Sequence, residues 1–295
     1  MNNETSRRER ISSKYLVNNK GQKIYIRRWF TPDRPDAIVL FQHGYGEHSG
    51  KYEHMAHLFN SRGMAMVSYD FEGHGRSPGL RGDIKDIDAA AEELKMAGVE
   101  LNRQYPDIPV LVGGHSIGGL IAGVAAARYT EEFAGLLMTA PLLGFASNIP
   151  GVVQETARYV TSMAATFPIL SLNFEELGQK SIIKEFEKDD LVHLGKIRAR
   201  LISQVHEYGS KLAKQLKAGL PIPFWLGHGD GDAFADHRIS SEIMDENIDE
   251  NSTVNIYPDR LHFLLQGDNW QNICQDMLEW TNSHVIESYK VDSIK

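Results

Sequence analysis

Val110-Leu111-Val112-Gly113-Gly114-His115-Ser116-Ile117-Gly118-Gly119 is the stretch that decides the fold. Val110 to Val112 is a short apolar run, as a buried strand needs, and Ile117 to Arg128 is small and apolar with helical character. Between them stands G-x-S-x-G. A sharp strand-to-helix turn of this kind lifts one side chain, Ser116, above the sheet in a strained backbone conformation. Side chains at the two flanking glycines would collide with the neighbouring strand and helix. The helix that follows aims its first N–H groups at the same spot, which favours developing negative charge. Gly119 adds room for tight packing. A glycine-rich turn with an idle serine is the plain alternative, and the strand, turn and helix occurring together argue against it.

Outward from this elbow the chain alternates. Ala37 to Phe41, Ala65 to Tyr69, Gly135 to Thr139 and Pro223 to Leu226 are continuous apolar runs, with a weaker one at Val254 to Tyr257. Such runs belong to strands buried on both faces. Lys23 to Trp29 alternates apolar and polar residues, as a half-exposed strand does. Ile87, Ala91, Leu94 and Leu101 recur near the helical period, and Trp270 to Val285 is amphipathic. The pattern predicts an α/β fold with a mostly parallel central sheet and helices on both faces, its active site at the carboxyl ends of the strands. Residues 1–13 are expected to form a loose polar arm. Between Pro141 and about Leu220 no convincing strand is found, while Val153, Ala157, Val160 and Ala164, and again Leu201, Val205, Tyr208 and Leu212, space like helix faces. A single crossover needs only about a dozen residues. Residues 143–220 are therefore expected to form an inserted helical cap, with 1–142 and 221–295 as the two parts of the core. Ordinary crossover helices packed on the sheet are the alternative.

The 295-residue chain carries a formal net charge of −8, which argues against nucleic acid as the main partner. Its hydrophobic share of 42% and charged share of 24% exclude disorder, collagen and coiled coil for the whole. No apolar run approaches the roughly 18 residues of a membrane-spanning helix, and Met1 to Arg10 is polar and charged, unlike a secretory signal. Cys274 is the single cysteine, which excludes an internal disulfide framework and a cysteine-based zinc site and fits a reducing compartment. A cytoplasmic protein is expected.

A serine nucleophile needs a base and an orienting acid, in the chain order Ser, Asp or Glu, His. His262 follows the strand Val254 to Tyr257 in a turn, whereas His284 lies well past that strand end and reads as a surface residue. The loop Gly229-Asp230-Gly231-Asp232-Ala233-Phe234-Ala235-Asp236 supplies the acid. Asp232 is the choice; spacing leaves Asp230 and Asp236 open, the first otherwise a turn residue and the second a cap of the next helix. His43-Gly44-Tyr45-Gly46-Glu47-His48 follows another strand. Its glycines allow the Tyr45 backbone N–H to point into the site beside that of Ile117, as an oxyanion hole. His43, His48, His54 and His57 crowd together without an H-E-x-x-H pattern, so structural hydrogen bonding is expected at His43 rather than a metal. Gly73-His74-Gly75-Arg76-Ser77 lacks a P-loop ending and reads as support for the site, with His74 structural.

With HGYGEHSGKY (His43 to Tyr52), YDFEGHGRSPGLRGDI (Tyr69 to Ile84), GGHSIGG (Gly113 to Gly119), GDGDAFAD (Gly229 to Asp236) and YPDRLHFLL (Tyr257 to Leu265), the chain resembles the monoglyceride lipase and lysophospholipase branch of the α/β-hydrolases from about Gly21 to His284. The resemblance implies Ser116 as nucleophile, Asp232 as acid, His262 as base, and Tyr45 and Ile117 as oxyanion donors. It also implies a cofactor-free hydrolysis of single-chain acyl esters, monoacylglycerol first. Lysophospholipase or general carboxylesterase activity is the alternative, and peptidase activity or a non-catalytic ligand-binding protein lies further off. Tyr45 departs from the branch, where a small residue is frequent, and its ring narrows the acyl entrance. The cap is rich in apolar residues from Ile149 to Leu170, so a peripheral, reversible membrane contact belongs to the same set of expectations.

Overall fold

The continuous apolar runs become the inner strands of one sheet. The computed structural model describes residues 11–17, 21–31, 33–147, 149, 151–245 and 250–292. Among the described residues ten strands are formed: β1 (Ile11–Val17), β2 (Lys23–Trp29), β3 (Ala37–Gln42), β4 (Met64–Tyr69), β5 (Val110–His115), β6 (Gly135–Thr139), β7 (Pro168–Leu170), β8 (Ile197–Arg198), β9 (Phe224–Gly229) and β10 (Thr253–Tyr257). Eight of them make the main sheet in the order β1-β2-β4-β3-β5-β6-β9-β10, parallel from β4 to β10 and antiparallel at β1 and β2.

Side chains alternate between two buried layers. In β3, Ile38 and Leu40 join the core on one face, and Ala37, Val39 and Phe41 that on the other. On the first face lie α2 (Ile87–Gln104), α3 (Ile117–Arg128), α7 (Ala199–Ala218) and α8 (His237–Asp245); on the second, α1 (Glu53–Ser61) and α9 (Trp270–Trp280). Asp86 starts α2 by accepting hydrogen bonds from the amides of Asp88 and Ala89 at 2.8 and 3.2 Å. Residues 117–126 of α3 are buried on every side, which explains their small apolar composition.

Three expectations change. Residues 11–13, assigned to the loose arm, begin β1, which pairs with β2 from Ile11↔Trp29 to Val17↔Lys23; residues 1–10 lie outside the described residues. Tyr15 and Tyr25 are direct cross-strand partners in edge-to-face contact. Residues 141–220, read as strand-free, contain β7 and β8, a short antiparallel pair. Two or three residues are too few to show a period of two. In the chain α4 (Gly151–Ala164) precedes β7, and α5 (Phe174–Leu177) and α6 (Lys180–Glu187) run between β7 and β8. Third, α7 was counted with the cap. Its Leu201, Ile202, Val205, Leu212 and Leu216 are buried in the core with α3, so it fills the crossover position between the parallel strands β6 and β9.

The close approach of α7 to α3 is made at Gly123, where a Cβ would lie 2.4 Å from Leu212 Cδ2. Leu212→Ala is expected to destabilise the protein by about 2–5 kcal/mol, because the rigid glycine face cannot move in to fill the void. Urea denaturation measures this, and a loss below about 1 kcal/mol would mean that α7 is not anchored in the core.

Candidate active site

Every sequence-predicted residue of the site lies just past the carboxyl end of a parallel strand. Tyr45 follows β3, Ser116 β5, Asp232 β9 and His262 β10. β3 and β5 are neighbours, paired at Gln42↔Gly114, although β4 lies between them in sequence. This is where the strand order reverses, and a crevice opens at such a point.

Ser116 has φ 56° and ψ −121°, a conformation that costs about 1–3 kcal/mol for a residue with a side chain. The two flanking glycines make it attainable. A Cβ on Gly114 would stand 2.4 Å from the Gly118 carbonyl carbon, and one on Gly118 would stand 2.4 Å from the His43 oxygen.

His262 Nε2 lies 2.9 Å from Ser116 Oγ, and His262 Nδ1 lies 2.7 Å from Asp232 Oδ2. Ser116 and His262 are each 2% exposed and Asp232 5%, so the chain of hydrogen bonds is shielded from water. Asp232 Oδ1 accepts from the amides of Phe234 and Ala235 at 2.8 and 3.0 Å. Burial opposes ionisation of this carboxyl, yet the neighbouring His262 and His228 hold it below the usual carboxylate range. The other two aspartates point elsewhere. Asp230 accepts from the Asp259 amide, while Asp236 accepts from the Arg238 amide and pairs with its guanidinium, at the start of α8. His284 is half-buried and stacks on Trp280.

The amide of Ile117 stands in the first turn of α3, where no intrahelical acceptor exists. The amide of Tyr45 lies in the loop after β3. Gly44, just before it, donates its N–H to Glu47 Oε2 at 2.7 Å, and Tyr52 donates its hydroxyl to the same oxygen at 2.6 Å. Burial raises the Glu47 pKa, against the hydrogen bonds from Tyr52 and Gly44. His43 accepts the Phe71 amide at Nε2 (3.0 Å) and donates from Nδ1 to the Gly44 carbonyl (2.8 Å). This is the structural role expected of it. Asp70 ties the loops together, accepting from the amides of Ser49 and Arg76, both at 2.8 Å. Among the described residues no three metal-binding side chains gather.

Sequence reasoning missed how firmly the cap holds the Tyr45 loop. Tyr45 donates its hydroxyl to the Lys196 carbonyl at 3.0 Å, the His193 amide donates to the Gly46 carbonyl at 2.7 Å, and Asp189 meets both His48 (3.0 Å) and Lys51 (2.8 Å). Leu172, Phe174 and Leu177 from the same insertion line, with Phe234 and Phe263, a small space over Ser116 of about 10 Å³. A wider apolar groove between β2, β4 and α2 contains none of the triad candidates.

Residues 33–269 match the family described as serine aminopeptidase, S33. A monoacylglycerol lipase from Mycolicibacterium smegmatis is 28% identical over 268 residues, covering 90% of this chain and 95% of its own. The solved monoacylglycerol lipase from Paleococcus ferrophilus has a TM-score of 0.79 at 24% identity, covering 88% of this chain and 99% of that one. A soluble variant of monoglyceride lipase from Saccharomyces cerevisiae, in complex with a substrate analogue, has a TM-score of 0.80 at 20% identity, covering 93% and 95%. These likenesses show the α/β-hydrolase fold.

Two buried histidines of the supporting loops make stability depend on pH. Burial pushes His43 and His74 down to about 3, so both are neutral in the folded protein at pH 5. Unfolded, each titrates near about 6.5. The unfolded chain therefore binds more protons between these values, and stability falls as pH drops through that window, by about 2 kcal/mol per histidine from pH 7 to 5. Asp232 titrates below the window and Glu47 works in the opposite sense, so the informative quantity is a difference between variants. His74→Asn keeps a donor for the Glu72 carbonyl, which His74 Nδ1 meets at 3.2 Å. In urea titrations at both pH values the wild type should lose about 2 kcal/mol more than His74→Asn; equal losses would contradict a neutral buried His74.

Proposed function

For a chain that belongs to the family described as serine aminopeptidase, S33, we propose a serine ester hydrolase acting on single-chain acyl lipids, with monoacylglycerol as the preferred substrate. The observation that carries this is the unbroken chain from Ser116 through His262 to Asp232, at 2.9 and 2.7 Å, beneath an apolar enclosure. Its similarity to enzymes named monoacylglycerol lipase supports the ester and the glycerol head group.

Ser116 Oγ attacks the ester carbonyl carbon while His262 Nε2 takes its proton. Asp232 accepts a hydrogen bond from the Nδ1–H, which stays on His262, and its charge stabilises the imidazolium. The amides of Tyr45 and Ile117 donate to the oxyanion. One such donor is worth about 10²–10³ in rate. The glycerol oxygen leaves with the proton from His262, and water then releases the fatty acid by the same route. None of these steps uses a cofactor.

The closed space over Ser116, about 10 Å³, lies far below the roughly 300–1,000 Å³ of ordinary ligand pockets. Entry of a long acyl chain therefore requires the segment bearing Leu172, Phe174 and Leu177 to shift. Each buried CH₂ then contributes about 0.8 kcal/mol, which a short ester lacks.

Two experiments test the assignment. Ser116→Ala should lose about 10⁶ in kcat and all labelling by a fluorophosphonate, and Asp232→Asn should be impaired while Asp236→Asn is not. Activity surviving in Ser116→Ala, or loss confined to Asp236→Asn, refutes the triad. In a panel of soluble and dispersed esters, kcat/KM should fall from monoacylglycerol to diacylglycerol to triacylglycerol. Higher values on lysophospholipids would move the substrate to the alternative, and activity confined to aminoacyl amides would sink the lipid assignment.

A peripheral membrane contact belongs to the same proposal. No helix among the described residues is long and apolar enough to cross a bilayer. Val152, Tyr159 and Met163 share one face of α4 and, with Phe167 just beyond it, are 57–72% exposed. Val153, grouped with them in the sequence, is instead half-buried against the core. Replacing Val152, Met163 and Phe167 with Asp should reduce sedimentation with phospholipid vesicles while turnover of a soluble short ester persists. Equal loss of both would assign the face to folding.

A further inference from the structure

Asp232 Oδ2 has a second imidazole on it. His228, near the end of β9, places Nε2 at 3.1 Å from the oxygen that receives His262, and its Nδ1 lies 2.8 Å from Ser240 Oγ on α8. His228 and Ser240 are both fully buried. Building on the triad reading above, we propose that His228, braced by Ser240, is a positioning residue that orients Asp232 and sets how much of its charge reaches His262.

The proton positions follow from one constraint. An ionised carboxylate only accepts, so both rings donate to it: His262 carries hydrogen on Nδ1 and His228 on Nε2. His262 Nε2 is then free to accept from the Ser116 hydroxyl. With His228 neutral, its Nδ1 accepts from the Ser240 hydroxyl. Two donor arms therefore converge on Asp232, one from Ser240 through His228 and one from Ser116 through His262.

Two jobs follow for His228. Mechanically, the amides of Phe234 and Ala235 hold only Oδ1, so the plane of the carboxylate is fixed by what grips Oδ2. Two donors on that oxygen leave little freedom to turn it away from His262. Electrostatically, a donor on Oδ2 withdraws charge that would otherwise stabilise the imidazolium. Removing His228 therefore leaves more of the Asp232 charge to act on His262. The titratable groups around His228 are Asp232 in the loop after β9, His237 at the start of α8, His115 at the end of β5 and His262 in the loop after β10. The two outside these arms, His237 and His115, remain unchanged in the variants below.

The test uses full-length protein and a soluble short ester. His228→Met removes the donor at similar volume. His228→Gln keeps an N–H near the place of Nε2, and Ser240→Ala removes the brace with little change of volume. Wild type and Ser116→Ala run alongside: fluorophosphonate labelling of the first and not the second upholds the triad, so a failure at His228 is separable from a failure of that reading. We expect His228→Met to lose about tenfold in kcat with KM within twofold of wild type. The acidic limb of kcat/KM, where protonation of His262 silences the base, should move to higher pH. His228→Gln should restore both kcat and the limb to near wild type. If His228→Met fails to fold, as judged by its melting transition, Ser240→Ala decides, with a smaller loss and the same upward movement of the limb. An unmoved limb in the deciding variant overturns the proposal, because a loss of folded protein scales the profile without displacing it. Equal behaviour of His228→Met and His228→Gln overturns it as well.

Discussion

Ser116 sits in a backbone conformation it would not choose, and the surrounding sheet is built to hold it there. Its amide donates to the Thr139 carbonyl at 3.0 Å, and its carbonyl accepts from Leu120 and Leu142, both at 3.1 Å. These bonds bring together β5, the end of β6 and the first turn of α3. One residue on, Ala140 also has positive φ (43°) and donates to the Gly227 carbonyl of β9 at 2.7 Å. The strand that ends at Ser116 is thereby tied through β6 to the strand that leads to Asp232. A strain of about 1–3 kcal/mol persists because relaxing Ser116 would break three hydrogen bonds and drive Gly118 into the β3 carbonyl end.

Around this fixed point the buried carboxyls are treated in opposite ways. Asp232 meets four donors, two of them imidazoles, and stays ionised despite burial. Glu47 is as deeply buried, but burial prevails over its partners and its pKa rises. The difference follows from the partners: two imidazoles face Asp232, whereas Glu47 is met by the Tyr52 hydroxyl and the Gly44 amide.

Both-face burial made β3, β4, β5, β6 and β9 legible, since a strand between two helix layers has nowhere to put polar residues. Chain order and glycine placement brought out Ser116, Asp232 and His262. β1 was lost because its sequence, ISSKYLV, is an edge strand with a polar composition, recognisable only once β2 is beside it. α7 shows a clear helical period, but periodicity says which face is apolar and not which layer receives it. His228 escaped notice for a related reason. In Phe224-Trp225-Leu226-Gly227-His228-Gly229 it ends an apolar run, and the signal was its polarity in a fully buried strand four residues before Asp232.

Tyr45 joins two parts of the molecule that sequence alone keeps separate. Its amide is the candidate oxyanion donor, while its hydroxyl bonds to the Lys196 carbonyl and its neighbour Gly46 accepts from the His193 amide. Gly46 has φ 75°, and a Cβ there would lie 2.3 Å from the His193 oxygen, so the inserted segment at His193 lies directly on the loop. Asp189 adds a charged tie, held below the usual carboxylate range by Lys51 and His48 even though burial acts the other way. Segment 189–196 cannot move away from the strand ends without releasing the loop that carries the Tyr45 amide. Leu172 and Phe174, which precede α6, line the space over Ser116 beside Leu177, whose carbonyl accepts from the Phe263 amide at 3.1 Å, so this part of the insertion is tied to the His262 loop rather than to the Tyr45 loop.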